Sequence, residues 1–215
     1  MRVGLHALGI GAGARPEIIR AVAVSAEKAG FATLWSGEHV VMVDEPRSRY
    51  PYSADGTIAV PPGADWLDPL LGLTFAAAVT SRITLATRVL LLPEHNPVLA
   101  AKQAATLDVL SGGRFTLGVG IGWSADEFAA LGVPFARRAQ RTEEYAAVMR
   151  KLWAEGVASL WWRRRPANRP QPPPGLRSRP RSASNRSAST SRSSISPPSA
   201  AGSSVIAMTS IDAER

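Results

Sequence analysis

The sequence predicts an α/β fold with a parallel sheet, and two observations support this. Strand-like runs alternate four times with segments of helical periodicity. The strand-like runs are apolar almost without interruption, which is typical of parallel strands that are buried on both faces. The predicted strands are 3–8, 31–35, 83–92 and 115–121, and the predicted helices are 16–29, 69–79, 97–110 and 137–153.

The first predicted helix begins at Pro16, because a proline in the first turn lacks only an N–H that the helix would leave unpaired. Gly30 can end it. The face expected to pack on the sheet carries residues at helical spacing, namely Ile18, Ala21, Val22, Ser25, Ala26 and Ala29. Between the second strand and the second helix, residues 36–66 lack periodicity and predict a long loop.

Charge and composition divide the chain into two parts. Residues 1–160 hold 15 Lys and Arg against 15 Asp and Glu, whereas residues 161–215 hold 10 Arg against two acids. Residues 161–204 contain 12 Ser, 9 Arg and 8 Pro, and too few apolar side chains to offset ~1–2 kcal/mol of backbone entropy per residue. We therefore predict a folded domain over 1–157 and a disordered, low-complexity basic tail over 158–215.

The composition also excludes several classes of site. The chain has no cysteine, which rules out disulfides, thiolate catalysis and Cys-based metal centres, and we predict no metal site. This is compatible with the reducing cytoplasm, where we expect the protein to act. Arg88 interrupts the apolar run 83–92, and the N-terminus lacks the pattern of a signal peptide, so no contact with a membrane is expected.

Candidate functional residues lie at the carboxyl ends of the predicted strands, where parallel α/β folds gather their chemistry. They are His6 with Gly9, Gly11 and Gly13; Glu38 and His39; His95 and Asn96; and Gly118, Gly120, Gly122 and Trp123. His39 is the first choice for catalysis, because imidazole exchanges a proton near neutral pH. Glu38 could orient this imidazole, or it could be a structural carboxylate.

The other candidates also have structural alternatives. Pro93 and Pro97 stiffen the loop of His95 and Asn96, which suits a turn as well as a site. His6 lies in a strand and could be an interior histidine with its hydrogen bonds satisfied.

The glycines after the fourth strand leave backbone without side chains, so that a flat ring or a phosphate could approach closely. Trp123 could wall such a pocket or simply pack in the core.

A dinucleotide-binding (Rossmann) domain is an alternative interpretation. Gly9, Gly11 and Gly13 precede a helix, and Glu38 follows the second strand, as in a nucleotide-binding fingerprint. The spacing is imperfect, because the third glycine comes too early and Glu38 comes later than the usual ~20 residues.

Four segments carry a resemblance to a known family. They are TSRITLATRVLLLPEHNPVLAAKQAATLDVLSGGRFTLGVGIGW at 80–123, WSGEHVVM at 35–42, DWLDPLLGL at 65–73 and EFAALGVPFARRAQRTEEYAAVMRKLW at 127–153. Taken in their order along the chain, these segments resemble the luciferase-like monooxygenases, in particular the branch that uses the deazaflavin coenzyme F420. The resemblance covers residues 1–155.

The resemblance implies a (β/α)8 barrel, of which this chain has the N-terminal half, with a cofactor ring across the carboxyl ends of the strands. His39 matches a histidine that contacts the ring or the substrate, and we take it as the catalytic residue. The bond between Arg88 and Val89 matches a region where relatives have a non-prolyl cis peptide. Candidate cofactor-binding residues are thus His6, Glu38, Arg88, Val89, His95, Asn96, Gly120, Gly122 and Trp123.

The resemblance also implies the chemistry. We expect an oxidoreductase that transfers a hydride between reduced coenzyme F420 and a small organic substrate. An FMN-dependent monooxygenase that uses oxygen is the main alternative, and a polyanion-binding protein acting through the Arg-rich tail is another, although nucleic acid is not the expected partner. Some deazaflavin enzymes place a catalytic glutamate near 120–123, where this chain has Trp123. A full-length relative would be a homodimer.

The sequence departs from the family after the last predicted helix. Relatives continue with four more β/α units, whereas residues 158–215 are rich in Ser, Arg and Pro. GC-rich codons yield this composition out of frame, so we interpret the tail as a frameshift product. A chain with half a barrel is expected to be poorly folded or inactive.

Sequencing the locus tests the frameshift. We expect a barrel continuation in one of the other two frames downstream of codon 155. An intact single frame through codon 157, with no such continuation in either other frame, would refute the interpretation.

Overall fold

The computed structural model describes residues 2–155 and 207–208. Its helices are α1 (Pro16–Lys28), α2 (Pro69–Ala77), α3 (Pro97–Leu110), α4 (Ala125–Ala130) and α5 (Arg138–Glu155). Its strands are β1 (Gly4–Leu5), β2 (Thr33–Ser36), β3 (Thr84–Thr87), β4 (Leu90–Leu91), β5 (Phe115–Thr116), β6 (Gly118–Gly120) and β7 (Ala207–Met208). Short 3-10 turns cover Gly11–Gly13 and Leu92–Glu94.

The main sheet is parallel, with the strand order β1-β2-β3-β5. Thr33 pairs with Thr84, and Leu85 pairs with Phe115. The predicted α/β class is therefore confirmed. The strands follow one another in chain order with β1 at an edge, as consecutive units of a (β/α) barrel do. A Rossmann sheet places its first strand in the interior, so that alternative was wrong.

Two predicted strands are each divided in two. The peptide bond between Arg88 and Val89 is cis and separates β3 from β4, and Leu117 separates β5 from β6. At the break the hydroxyl of Thr87 donates to the carbonyl of Gly118 (2.7 Å) and accepts its N–H (2.9 Å), in place of backbone pairing. Beyond the break, β4 and β6 pair in parallel.

A second sheet has the order β4-β6-β7. The strand β7 pairs in parallel with β6, with Gly118 opposite Ala207. At 207–208 the prediction of disorder was wrong, because this segment forms the strand β7. The rest of the tail, with the arginine cluster proposed to bind polyanions, lies outside the described residues. Both remain predictions.

Side-chain caps explain where two helices begin. The Asp68 carboxylate accepts the N–H of Leu71 (2.9 Å) before α2, and the Asn96 side chain accepts the N–H groups of Val98 (3.0 Å) and Leu99 (3.3 Å) before α3. Each cap is followed by a proline in the first turn. The predicted bounds of α3 are therefore the observed ones.

The predicted inward face of α1 was right at Val22 and Ala26, which pack in the core, and wrong at the other four positions. Ile18 is 37% exposed, whereas the buried residues are Ile19, Ala23 and Ala26. Positions 19, 22, 23 and 26 have the same helical spacing as the predicted face. Small alanines on both faces leave periodicity alone unable to choose between them.

One hydrophobic core holds the sheet against the helices. Its fully buried side chains include Leu34 and Leu85 from the strands, and Leu73, Leu107 and Met149 from α2, α3 and α5. The Trp153 side chain donates to the carbonyl of Ala101 (3.0 Å) and so ties α5 to α3.

Polar side chains bind the turn that enters β3. The Glu27 carboxylate accepts the N–H groups of Arg82 (2.7 Å) and Ile83 (2.9 Å), among others. Partial burial opposes ionisation, yet these amide hydrogen bonds lower the pKa of Glu27 to about 2. The Arg114 guanidinium donates to the carbonyl groups of Ile83 and Ala77, which supports a structural role at the amino ends of the strands.

In the part of the chain that the structure describes, no helix is long and apolar enough to cross a membrane.

Candidate active site

The strongest candidate site lies at the carboxyl ends of β2, β4 and β6. Glu38 and His39 follow β2, Glu94 and His95 follow β4, and the segment from Ile121 to Trp123 follows β6. β2 belongs to the main sheet and β4 and β6 to the second, and hydrogen bonds of Glu38 with Leu91 and His95 bring these strand ends to one edge of the fold.

His39 is held by a buried carboxylate. Its Nδ1 lies 2.9 Å from Oε2 of Glu127, and the two side chains are 9% and 1% exposed. The other oxygen, Oε1, accepts the backbone N–H groups of Val40 (2.5 Å) and Val41 (3.3 Å). One carboxylate therefore fixes both the imidazole and the chain that leaves β2.

The sequence interpretation missed Glu127, and it missed α4, which carries this residue. A signal was present: Ser124 and Glu127 have the spacing of a helix capping box. The Ser124 hydroxyl does accept the N–H of Glu127 (3.3 Å). The glutamate side chain, however, pairs with a residue 88 positions earlier, and such a partner cannot be read from local sequence.

Two tryptophans flank the imidazole edge-on. The ring centroid of His39 lies 4.8 Å from that of Trp66 and 5.7 Å from that of Trp123. The Trp66 indole donates to the carbonyl of Gly37 (2.9 Å), which fixes its position. Trp123 lies beside His39, where it could form one wall of a pocket. Trp66 has a similar position but was not among the residues predicted from the sequence.

The long loop predicted after β2 is anchored on α4. The Asp126 carboxylate accepts the N–H groups of Arg47 (2.9 Å) and Ser48 (2.8 Å), and the Ser48 hydroxyl accepts the N–H of Ala125 (2.9 Å). Neighbouring acids of α4 thus hold two parts of this loop: Asp126 holds residues 47–48, and Glu127 holds residues 39–41.

Glu38 does not orient His39. Its carboxylate lies 3.0 Å from Nε2 of His95 and accepts the N–H of Leu91 (2.6 Å). The adjacent residues Glu38 and His39 therefore enter two separate pairs. Burial tends to lower the pKa of His95, but the hydrogen bond and charge of Glu38 outweigh it and raise that pKa.

Glu94 is the unusual group at this edge. Both oxygens are buried, and neither has a hydrogen-bond partner among residues 2–155. Burial, together with the negative charges of Glu127 and Glu38, raises the pKa of Glu94 to about 9. At neutral pH it is therefore a carboxylic acid with a proton to donate.

The remaining candidates occupy different surroundings. His6 is exposed, with Nε2 3.3 Å from the carbonyl of Arg88, so the interior alternative was wrong. Asn96 caps α3. A side chain at Gly120 would collide with Val89, and one at Gly122 would collide with Phe128 and lie 3.2 Å from Glu94. The chain's own packing thus accounts for both glycines, and their role in binding a cofactor stays a prediction.

Among the described residues, no group of three His, Asp or Glu side chains is arranged to hold a metal ion. The side chains grouped around His39 are the indoles of Trp66 and Trp123.

Comparison with known proteins shows the family. The profile of the luciferase-like monooxygenases matches residues 3–215, and this chain belongs to that family. The uncharacterized protein Rv0953c of Mycobacterium tuberculosis is 43% identical over 138 residues, which cover 64% of this chain and 49% of the relative. The chain thus spans about half the length of this curated relative.

Solved structures support the same fold. Monooxygenase RslO1 from Streptomyces bottropensis is 27% identical with a TM-score of 0.57, over 72% of this chain and 44% of that one. An F420-dependent secondary alcohol dehydrogenase, solved with an F420-acetone adduct, is 24% identical with a TM-score of 0.54, over 72% and 42%. A Pseudomonas putida Baeyer-Villiger monooxygenase with FMN is 22% identical with a TM-score of 0.53, over 71% and 39%. Proteins of this fold thus include users of both cofactors.

The buried acid Glu94 gives a pH-dependent stability. Its folded pKa of about 9 lies above the ordinary value of 4.5, so the folded state binds more protons and loses stability as pH rises between these values. Glu94→Gln keeps the size and removes the titration. We expect its melting temperature, relative to the wild type, to rise steadily from pH 5 to pH 9. Glu45→Gln, in the exposed part of the loop, is the control. A difference that stays constant with pH would show that Glu94 is ionised in the fold.

Proposed function

We propose that this chain carries part of the active site of an oxidoreductase that transfers a hydride between reduced coenzyme F420 and a small organic substrate. Membership of the luciferase-like monooxygenase family supports the class of enzyme. The structural likeness to an F420-dependent alcohol dehydrogenase supports this choice of cofactor. We place the activity in the cytoplasm and expect the full-length enzyme to be a homodimer.

The observation that carries the proposal is the environment of His39. Its Nδ1 is engaged by Glu127, while its Nε2 has no hydrogen-bond partner in the described part of the chain. Trp66 and Trp123 flank the ring and keep water from its sides. His39 is therefore prepared to exchange a proton at Nε2, which is the role of a general acid or base.

The residues present fit a flat heteroaromatic ring that bears carbonyl oxygens. When it carries a proton, Nε2 of His39 can donate a hydrogen bond to a ring carbonyl, and Trp123 offers an apolar surface beside it. When bound, the reduced coenzyme would supply the hydride. His39 would hold the accompanying proton at Nε2 and deliver it to the substrate.

An FMN-dependent monooxygenase is the second candidate, because a flavin enzyme of the same fold lies at a similar structural distance. The aromatic and imidazole groups near His39 suit either tricyclic ring. The two candidates differ in the cofactor that binds, which can be measured on this chain.

Cofactor titration followed by tryptophan fluorescence tests the proposal. We expect saturable binding of coenzyme F420 that is tighter than binding of FMN, without turnover, since the chain spans about half of its relatives. His39→Asn should weaken binding about tenfold, because one hydrogen bond worth about 1.4 kcal/mol is lost. The exposed change Gln103→Asn on α3 is the control.

Each other outcome has a definite meaning. Tighter binding of FMN would favour the monooxygenase. Binding of neither cofactor, or equal binding by the wild type and His39→Asn, would contradict a cofactor site at His39.

A further inference from the structure

The hydrogen bonds of Glu127 indicate which atom of the Glu127–His39 pair carries the proton. Oε1 accepts two backbone N–H groups, from Val40 and Val41, and Oε2 faces Nδ1 of His39. An amide N–H can only donate, so Oε1 must accept. Hydrogen bonds from two backbone donors favour the charged carboxylate, whose second oxygen, Oε2, can only accept a hydrogen bond. The arrangement is therefore complete when Glu127 is a carboxylate and Nδ1 carries the proton.

We propose that Glu127 is the positioning residue of this site, which holds His39 in the Nδ1–H form and so leaves Nε2 as the nitrogen that exchanges the proton. The inference rests on the proposed role of His39 and names the residue through which that role is set. Glu127 touches neither substrate nor cofactor in this account, and it acts only through the imidazole.

A fixed Nδ1–H has a chemical consequence. With Nδ1 protonated at all times, gain or loss of the second proton occurs at Nε2, the free nitrogen. The carboxylate also stabilises the imidazolium that forms when Nε2 takes up a proton. The edge-on contacts with Trp66 and Trp123 restrict rotation of the ring, so the two nitrogens cannot exchange places.

The isosteric change Glu127→Gln makes a sharp prediction. Two backbone N–H groups need an acceptor, so the amide oxygen of the glutamine should face Val40 and Val41. Its NH2 group then faces Nδ1 of His39 and donates to it. The tautomer should invert to Nε2–H, and Nδ1, occupied by a donor, can no longer accept a proton.

The neighbouring residue Asp126 supplies a matched control. It lies on the same helix and holds residues 47–48 of the same loop, and its hydrogen bonds within the described residues go to Arg47 and Ser48, not to His39. Asp126→Asn therefore reports the effect of loosening the loop alone. Glu38→Gln is a second control, because it alters the other buried carboxylate–histidine pair, at His95.

The measurement is a two-bond proton–nitrogen NMR spectrum of protein labelled at histidine with ¹⁵N. The chain has only 3 histidines, so His39 is assigned by its loss in His39→Asn. At about pH 8, above the ordinary imidazole pKa of about 6.5, we expect the Nδ1–H pattern in the wild type and in both controls. Glu127→Gln should show the Nε2–H pattern.

An Nε2–H pattern in the wild type would overturn the proposal by itself. The proposal can therefore be tested even if the Glu127→Gln protein fails to fold. An unchanged Nδ1–H pattern in folded Glu127→Gln, or inversion in Asp126→Asn, would also overturn it. Titration of the wild type with coenzyme F420 in the same samples separates the two hypotheses. If the wild type shows the Nδ1–H pattern but does not bind coenzyme F420, the proposed function is refuted and the positioning role of Glu127 is still supported.

Discussion

The arrangement at the strand ends depends on one buried carboxylate. Glu127 binds the imidazole of His39 and the backbone of the next two residues, and it does so from a helix that lies almost 90 residues later in the chain. Removing such a group would leave two partly buried N–H groups and a buried imidazole without their acceptor, at a cost of up to about 1–3 kcal/mol for each unsatisfied group. The same helix carries Asp126, so α4 organises both the histidine and the loop that follows it.

Electrostatics explains why the third carboxyl at this edge stays neutral. Glu127 and Glu38 each have a histidine partner and backbone donors, which favour their charged forms. Glu94 has neither, and it lies near both of these charges. It therefore keeps its proton to about pH 9, and the edge combines two carboxylate–histidine pairs with one buried acid.

Much of the fold could be predicted because its signals are local. Capping residues followed by prolines mark the starts of α2 and α3, and unbroken apolar runs mark the buried parallel strands. The inward face of α1 was predicted only in part, because alanines give two overlapping faces of equal periodicity. The breaks at Arg88–Val89 and Leu117 depend on side-chain and peptide geometry that an apolar run does not reveal.

The site was predictable only in part, for the same physical reason. The rule that chemistry gathers at the carboxyl ends of strands selects His39, Glu38 and His95 correctly as neighbours in space. It cannot decide which carboxylate meets which imidazole. The adjacent residues Glu38 and His39 point to different partners, and the glutamate that holds His39 comes from beyond the last strand considered.

The claim that one carboxylate holds the imidazole is tested most directly by a double-mutant cycle on unfolding free energy. The cycle uses His39→Ala, Glu127→Ala and the double variant in urea denaturation. A direct hydrogen-bonded pair predicts a coupling energy of about 1–3 kcal/mol, whereas the pair His39→Ala and Asp126→Ala should be additive within about 0.5 kcal/mol. Additive effects of the His39 and Glu127 substitutions would contradict the account.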